Sequence, residues 1–321
     1  MQPSFLRRIF LVVVLCVGTA AGIFLAVSYW NRLHPSYPEL AMISQHSESF
    51  ADLKRFFEQS AQRKGGEYAF ELLGRADLPE GTDIHLLGHV IGDILYKQKG
   101  KDGMRFCTQE FRNACSHTIV VGLYLDRGEA ALNDIAQACK QAPGGAGAYT
   151  MCFHGLGHGI LAVTGYDFED AVAMCGRIVP GGFSSREPVE CVGGALMELI
   201  SGGDHDKTAW EKQSAIFLST ADPLAPCNAS YVPQQAQGMC YEYITPHLFT
   251  VVGSDLTDPT PEAIRDAFAL CMGLPAESSN QGACFRGFGK ELVNVVIKND
   301  IRTVDTISNE QARLMYEKCA L

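Results

Sequence analysis

Residues 151–163 read MCFHGLGHGILAV, and the register of this stretch organises most of the chain. Its apolar residues recur with helical spacing, and His154 and His158 stand four apart, which puts both imidazoles on one helical face. Similar openings occur elsewhere. Ala283-Cys284-Phe285-Arg286-Gly287-Phe288-Gly289-Lys290 repeats it almost position for position. Met239-Cys240-Tyr241-Glu242-Tyr243, Cys191-Val192-Gly193-Gly194 and Cys115-Ser116-His117-Thr118 share its start. Asp83-Ile84-His85-Leu86-Leu87-Gly88-His89 fits with Asp83 in the cysteine slot.

Six units therefore start at 83, 115, 152, 191, 240 and 284, with separations of 32, 37, 39, 49 and 44 residues. That is room for two helices and two loops in each. The first helix of a unit is followed by a break such as Asp126-Arg127-Gly128 or Thr164-Gly165-Tyr166-Asp167, then by a second helix that ends on Cys. The stretches 129–139, 168–175 and 261–271 are such second helices, the last with Asp258 or Thr260 as cap and Pro261 in its first turn. Loops rich in Gly, Pro and Ser lead to the next opening Cys. No segment carries the sustained alternation of a sheet. The expected fold is all-α: an array of six helical hairpins, either an open solenoid or a closed α/α toroid. Its general form is that of tetratricopeptide-like arrays, whose signature residues are absent.

Twelve cysteines are many for a chain of 321 residues and point to an oxidising compartment. The Cys ending one unit should pair with the Cys opening the next: Cys107 with Cys115, Cys139 with Cys152, Cys175 with Cys191, Cys227 with Cys240, and Cys271 with Cys284. Each loop so closed adds about 2 to 3 kcal/mol. Cys319 is left without a partner and Cys16 falls in an apolar segment. No CxxC is present, which argues against zinc-finger sites.

That apolar segment, residues 9–30, runs for 22 positions without a charge, long enough to span a bilayer. It is too long for the apolar core of a cleaved signal. Arg7 and Arg8 precede it, so the N-terminus is expected in the cytoplasm and the rest of the chain outside it. The organisation expected is a cytoplasmic stub and anchor (1–30), a helical stalk or cap (31–82) with two amphipathic helices in 46–75, and the repeat domain (83–321). With 36 acidic against 26 basic residues and no basic run, nucleic acid is an unsuited partner. The partners expected are the membrane, through 9–30, and a protein, glycan or small molecule.

Two His pairs in matching slots, His85 with His89 and His154 with His158, together with His117, are the candidate ligands of a transition metal such as Zn, Cu or Fe. Asp93 extends the first row; His117, Glu242, Arg286 and Lys290 occupy equivalent slots, with Glu198, His247 and Glu291 one step away. The pairs lack the built-in Glu of HExxH, so a catalytic base must come from elsewhere, with Glu198 and Glu242 as candidates. No nucleophile elbow, Walker loop or dinucleotide fingerprint is present in a suitable context. Three functions are compatible with these residues: a metal-binding domain, catalytic or not; a scaffold binding a partner on one face; or a metal-free enzyme using a His/Glu pair. The glycines around the His residues cost about 1 kcal/mol each in an exposed helix interior. Close helix approach, or backbone access for a ligand, must offset them.

Overall fold

A computed structural model describes residues 37–43, 49–202, 206–298, 300, 302 and 307–320. The apolar segment 9–30 lies outside the described residues. Among the described residues no helix is long and apolar enough to cross a membrane. The described residues from Ile43 onward, all six repeats among them, belong to one compact unit.

This unit is all-helical, with no strand among the described residues. Two amphipathic helices come first, α1 (Phe50–Lys64) and α2 (Gly66–Arg75), and both pack on α3 (Ile84–Lys99). Gln98 of α3 pins them, donating to the Ala61 carbonyl at 2.9 Å and accepting from the Gly66 amide at 2.9 Å. Then come α4 (Ala114–Arg127), α5 (Leu132–Cys139), α6 (Gly145–Val163), α7 (Phe168–Cys175), α8 (Arg186–Ser201) and α9 (Lys207–Phe217). The remaining helices, apart from the single turn Ala225–Asn228, are α10 (Gln234–Tyr243), α11 (Thr245–Val251), α12 (Pro261–Leu270), α13 (Ser279–Val296) and α14 (Asn309–Cys319).

The six unit-opening helices pack in sequence: α3 on α4, α4 on α6, α6 on α8, α8 on α10, and α10 on α13. The second elements are less uniform than the sequence pattern implies. The first unit has a 3₁₀ segment, Gly100–Phe106, in place of a second α-helix. The opening helices also start earlier than expected. Cys152 sits well inside α6, Cys191 inside α8 and Cys284 inside α13, because part of each preceding loop stretch (Gly145–Met151, Arg186–Glu190, Ser279–Ala283) is helical. Packing against neighbouring helices overrides the weak propensity of those residues. Asp83, in the cysteine slot of the first unit, caps α3 by accepting from the Leu86 amide at 2.9 Å.

Five disulfides join Cys107 to Cys115, Cys139 to Cys152, Cys175 to Cys191, Cys227 to Cys240 and Cys271 to Cys284. Each fastens the end of one unit to the opening helix of the next. Cys319 is an exposed free thiol. Such bridges persist in oxidising surroundings, which points to an extracytoplasmic domain.

The chain beyond the last opening helix returns to the stretch before the first. Lys298, just past α13, pairs with Glu80, and Arg302 donates to the Gly74 carbonyl at 3.1 Å. The Phe111 amide donates to the Arg302 carbonyl at 3.3 Å. Leu78, Pro79, Ile84, Ile297 and Asp300 share the walls of one cavity at this junction.

Candidate metal centre

Glycines set how closely the opening helices approach. A Cβ on Gly155 would lie 2.6 Å from the His117 Cα, one on Gly157 2.0 Å from the Cys191 carbonyl oxygen, and one on Gly194 1.8 Å from the His154 carbonyl oxygen. Only the absence of a side chain permits these contacts, and the close packing offsets the helix-propensity cost of the glycines.

The close approach gathers five imidazoles from three helices: His85 and His89 of α3, His117 of α4, and His154 and His158 of α6. His117 is central. Its ring centroid is 6.2 Å from His85, 6.0 Å from His89, 5.5 Å from His154 and 5.6 Å from His158. Two adjoining cavities of about 860 and 580 Å³ flank the cluster, with His85, Arg112 and Met197 in both walls.

Ligand atoms of His85, His89 and His117 all lie within 4.8 Å of one another, so these three could hold a metal ion. The Nε2 atoms of His85 and His89 are 3.0 Å apart. A tetrahedral ion about 2.0–2.1 Å from each nitrogen separates its ligand atoms by about 3.3 Å. The atoms behind the ligands suit the same purpose. A carbonyl can only accept, so His85 Nδ1–H donates to Phe111 O at 2.6 Å and Nε2 keeps its lone pair. His89 Nδ1 is 3.1 Å from the Thr118 hydroxyl, which is also 2.9 Å from the Ala114 carbonyl. Thr118 can therefore donate to Ala114 while accepting from His89 Nδ1–H, the tautomer that carries the lone pair on His89 Nε2.

Several other imidazole nitrogens have no protein partner. Both nitrogens of His117, Nδ1 of His154 and Nε2 of His158 are buried without a hydrogen bond. Leaving a buried polar atom unpaired costs about 1–3 kcal/mol, so a cluster of four requires a reason. Burial, reinforced by neighbouring imidazoles, pushes His85, His117 and His154 well below the usual histidine range and keeps them neutral, the state that ligates a metal.

Glu198 reaches the cluster through His158, whose Nδ1 lies 3.0 Å from Glu198 Oε2, while Tyr166 donates to Oε1 at 3.3 Å. Glu242 is not in either cavity wall; Arg286 donates to it at 3.2 Å. His247 is turned elsewhere, with Nε2 3.2 Å from the Ser219 carbonyl. Asp93 lines the larger cavity and binds Lys97 at 2.5 Å. Lys290 lines the smaller one, pairs with Glu291 and lies 4.4 Å over the Tyr243 ring. Burial pulls Lys290 down from the usual lysine range. Burial alone would raise Glu291, but Lys290 holds it below the usual carboxylate range.

Four residues at the site escape sequence reasoning: Arg112, Met197, Tyr243 and Asn294. Tyr243, whose ring is 4.6 Å from His154, and Met197 stand on the opening helices α10 and α8. Arg112 follows no pattern. It lies in a run of three left-handed residues, Phe111, Arg112 and Asn113, with φ of 53°, 55° and 64°. Such residues cost about 1–3 kcal/mol each and persist only where their surroundings over-determine them. Here the Phe111 ring packs 5.0 Å from Phe70, Ser116 donates to the Asn113 carbonyl at 2.9 Å, and the Cys107–Cys115 bridge brackets the run.

The chain is thus a disulfide-stapled helical protein with a polar His cluster able to hold a metal. It matches no protein-family model, no curated protein and no solved structure.

Proposed function

We propose that the domain binds a transition-metal ion through His85, His89 and His117, with His154, His158 and Glu198 beside it, in the interior of a closed α/α ring anchored to a membrane by residues 9–30. The observation that carries this reading is the trio of imidazoles with ligand atoms within 4.8 Å of one another, two of them backed by Phe111 and Thr118. Imidazole donors suit Zn, Cu or Fe rather than Mg or Ca. The flanking cavities leave room for a further ligand on the metal, the condition for catalysis rather than a purely structural role.

A second reading rests on the His158–Glu198 contact of 3.0 Å. A carboxylate behind Nδ1 orients the imidazole and leaves Nε2 as a general base, without any metal.

Elemental analysis of the chain, purified from an oxidising compartment without a histidine tag, tests the choice. About one Zn, Cu or Fe per chain, lost in a His85→Ala/His89→Ala variant that keeps its helicity, supports the metal centre. A folded, disulfide-intact chain that takes up none of these metals refutes it and leaves the acid–base reading.

A further inference from the structure

We infer that the smaller cavity binds a monocarboxylate with an apolar body, and that Arg112 holds its carboxylate beside the His cluster. This deepens the proposed function by naming the ligand class, and only the placement near a metal rests on that reading; the binding itself does not need the metal.

The charges in the wall lead to this assignment. Arg112 lines the cavity of about 580 Å³ together with Lys290, Arg302 and Glu110. Lys290 is matched by Glu291, and Arg302 binds Asp300 at 2.8 Å and the Gly74 carbonyl at 3.1 Å. Glu110 accepts from the Thr108 hydroxyl at 2.7 Å and makes no ion pair with Arg112. Among the described residues of this wall, Arg112 is the one cation with neither an ion pair nor a protein hydrogen bond. Its guanidinium offers five donors in a planar fork that matches a carboxylate in two parallel bonds. Arg112 is the wall's one cation without an ion pair and Glu110 its one carboxylate without one, a balance that suits a monoanion on the guanidinium better than a phosphate dianion.

The backbone supports the assignment independently. The three left-handed residues that present Arg112 also place the Phe111 carbonyl behind His85, at 2.6 Å from Nδ1. A single strained turn thus orients a metal-ligating imidazole and holds a free guanidinium in the same cavity. Strain retained at such a point is characteristic of pre-organised binding sites. Met151, Met197 and Tyr243 supply the apolar part of the wall.

The test compares benzoate with benzamide, its uncharged counterpart of the same shape, by calorimetric titration into the full chain in detergent, metal-free and metal-loaded. The variants are Arg112→Gln and Arg112→Lys, with circular dichroism and metal content as controls. Benzoate should bind the wild type at least tenfold more tightly than benzamide. Arg112→Gln should erase that preference, and Arg112→Lys should restore part of it. Equal affinity for the two probes, no binding of benzoate up to saturation, or a benzoate preference that survives Arg112→Gln would overturn the assignment. A preference dependent on Arg112 in a chain that takes up no metal would sustain the carboxylate site and refute the metal centre. Metal uptake without any preference would do the reverse.

Discussion

Replacing Gly194 with Ala sets two effects of opposite sign against each other. In an exposed helix Ala is better than Gly by about 1 kcal/mol. In α8 the added Cβ would meet the His154 carbonyl oxygen at 1.8 Å, whereas a carbon and an oxygen rest at about 3.3 Å. Helices α6 and α8 would have to separate by more than about 1 Å, opening the interface that places His154 and His158. Overpacking of this kind costs about 1–3 kcal/mol and sometimes more, and here the obstacle is backbone that cannot rotate away. The net expectation is a loss of about 2 kcal/mol or more, seen in urea unfolding of the disulfide-intact chain as a lower midpoint with an unchanged slope. Helix α13 offers an internal control. A Cβ on Gly287 would lie 2.3 Å from Thr245 Oγ1 and 2.6 Å from the Glu242 carbonyl oxygen, while one on Gly289 meets nothing within 4 Å. Gly287→Ala should destabilise and Gly289→Ala should stabilise by about 0.5–1 kcal/mol. A Gly194→Ala chain as stable as the wild type would refute the account of how the opening helices pack.

Three further outcomes are expected. His117 is 2% exposed with neither ring nitrogen bonded, so His117→Leu should leave the metal-free chain as stable or raise it by about 1–3 kcal/mol while abolishing metal uptake; a large loss of metal-free stability would count against the site. His117 and His154 are held below the usual histidine value in the fold, so the unfolded chain takes up protons that the folded metal-free chain refuses. Its stability should be full above about pH 6.5 and fall below it by up to about 1.4 kcal/mol per pH unit for each residue until the lower folded-state values are reached, as urea midpoints against pH would read. Opening the Cys175–Cys191 bridge, which spans 16 residues, by a double Ala substitution should cost about 3 kcal/mol in thermal unfolding, and a change below about 1 kcal/mol would mean that packing alone holds α7 to α8.

Much of the fold was legible because its signals are local. The Cys register, the helical spacing after each Cys and the breaks between helices mark the opening helices, and the capping residue Thr260 marks where one second helix begins. Helix starts were less legible, since the first turns Gly145–Met151 and Arg186–Glu190 fall in stretches whose Gly and Pro read as loop. At the site, spacing alone pairs His85 with His89 and His154 with His158. Equivalence of slots is a poorer guide for Glu242 and Arg286, which bind each other away from the cavities; α10 ends at Tyr243, one residue past Glu242, and α11 begins at Thr245.

By itself the sequence determined that the chain is helical, repetitive and rich in cysteines that lie close enough in the chain to bridge consecutive units. Which imidazoles meet, that His117 stands between the two pairs with nothing to bond, and that Arg112 enters the cavity unpaired were decided only in the tertiary structure. The reason is physical: periodicity specifies which face a residue occupies, but the distance between faces depends on how closely glycine lets two backbones approach, and a left-handed turn such as 111–113 is held by contacts that no local pattern encodes.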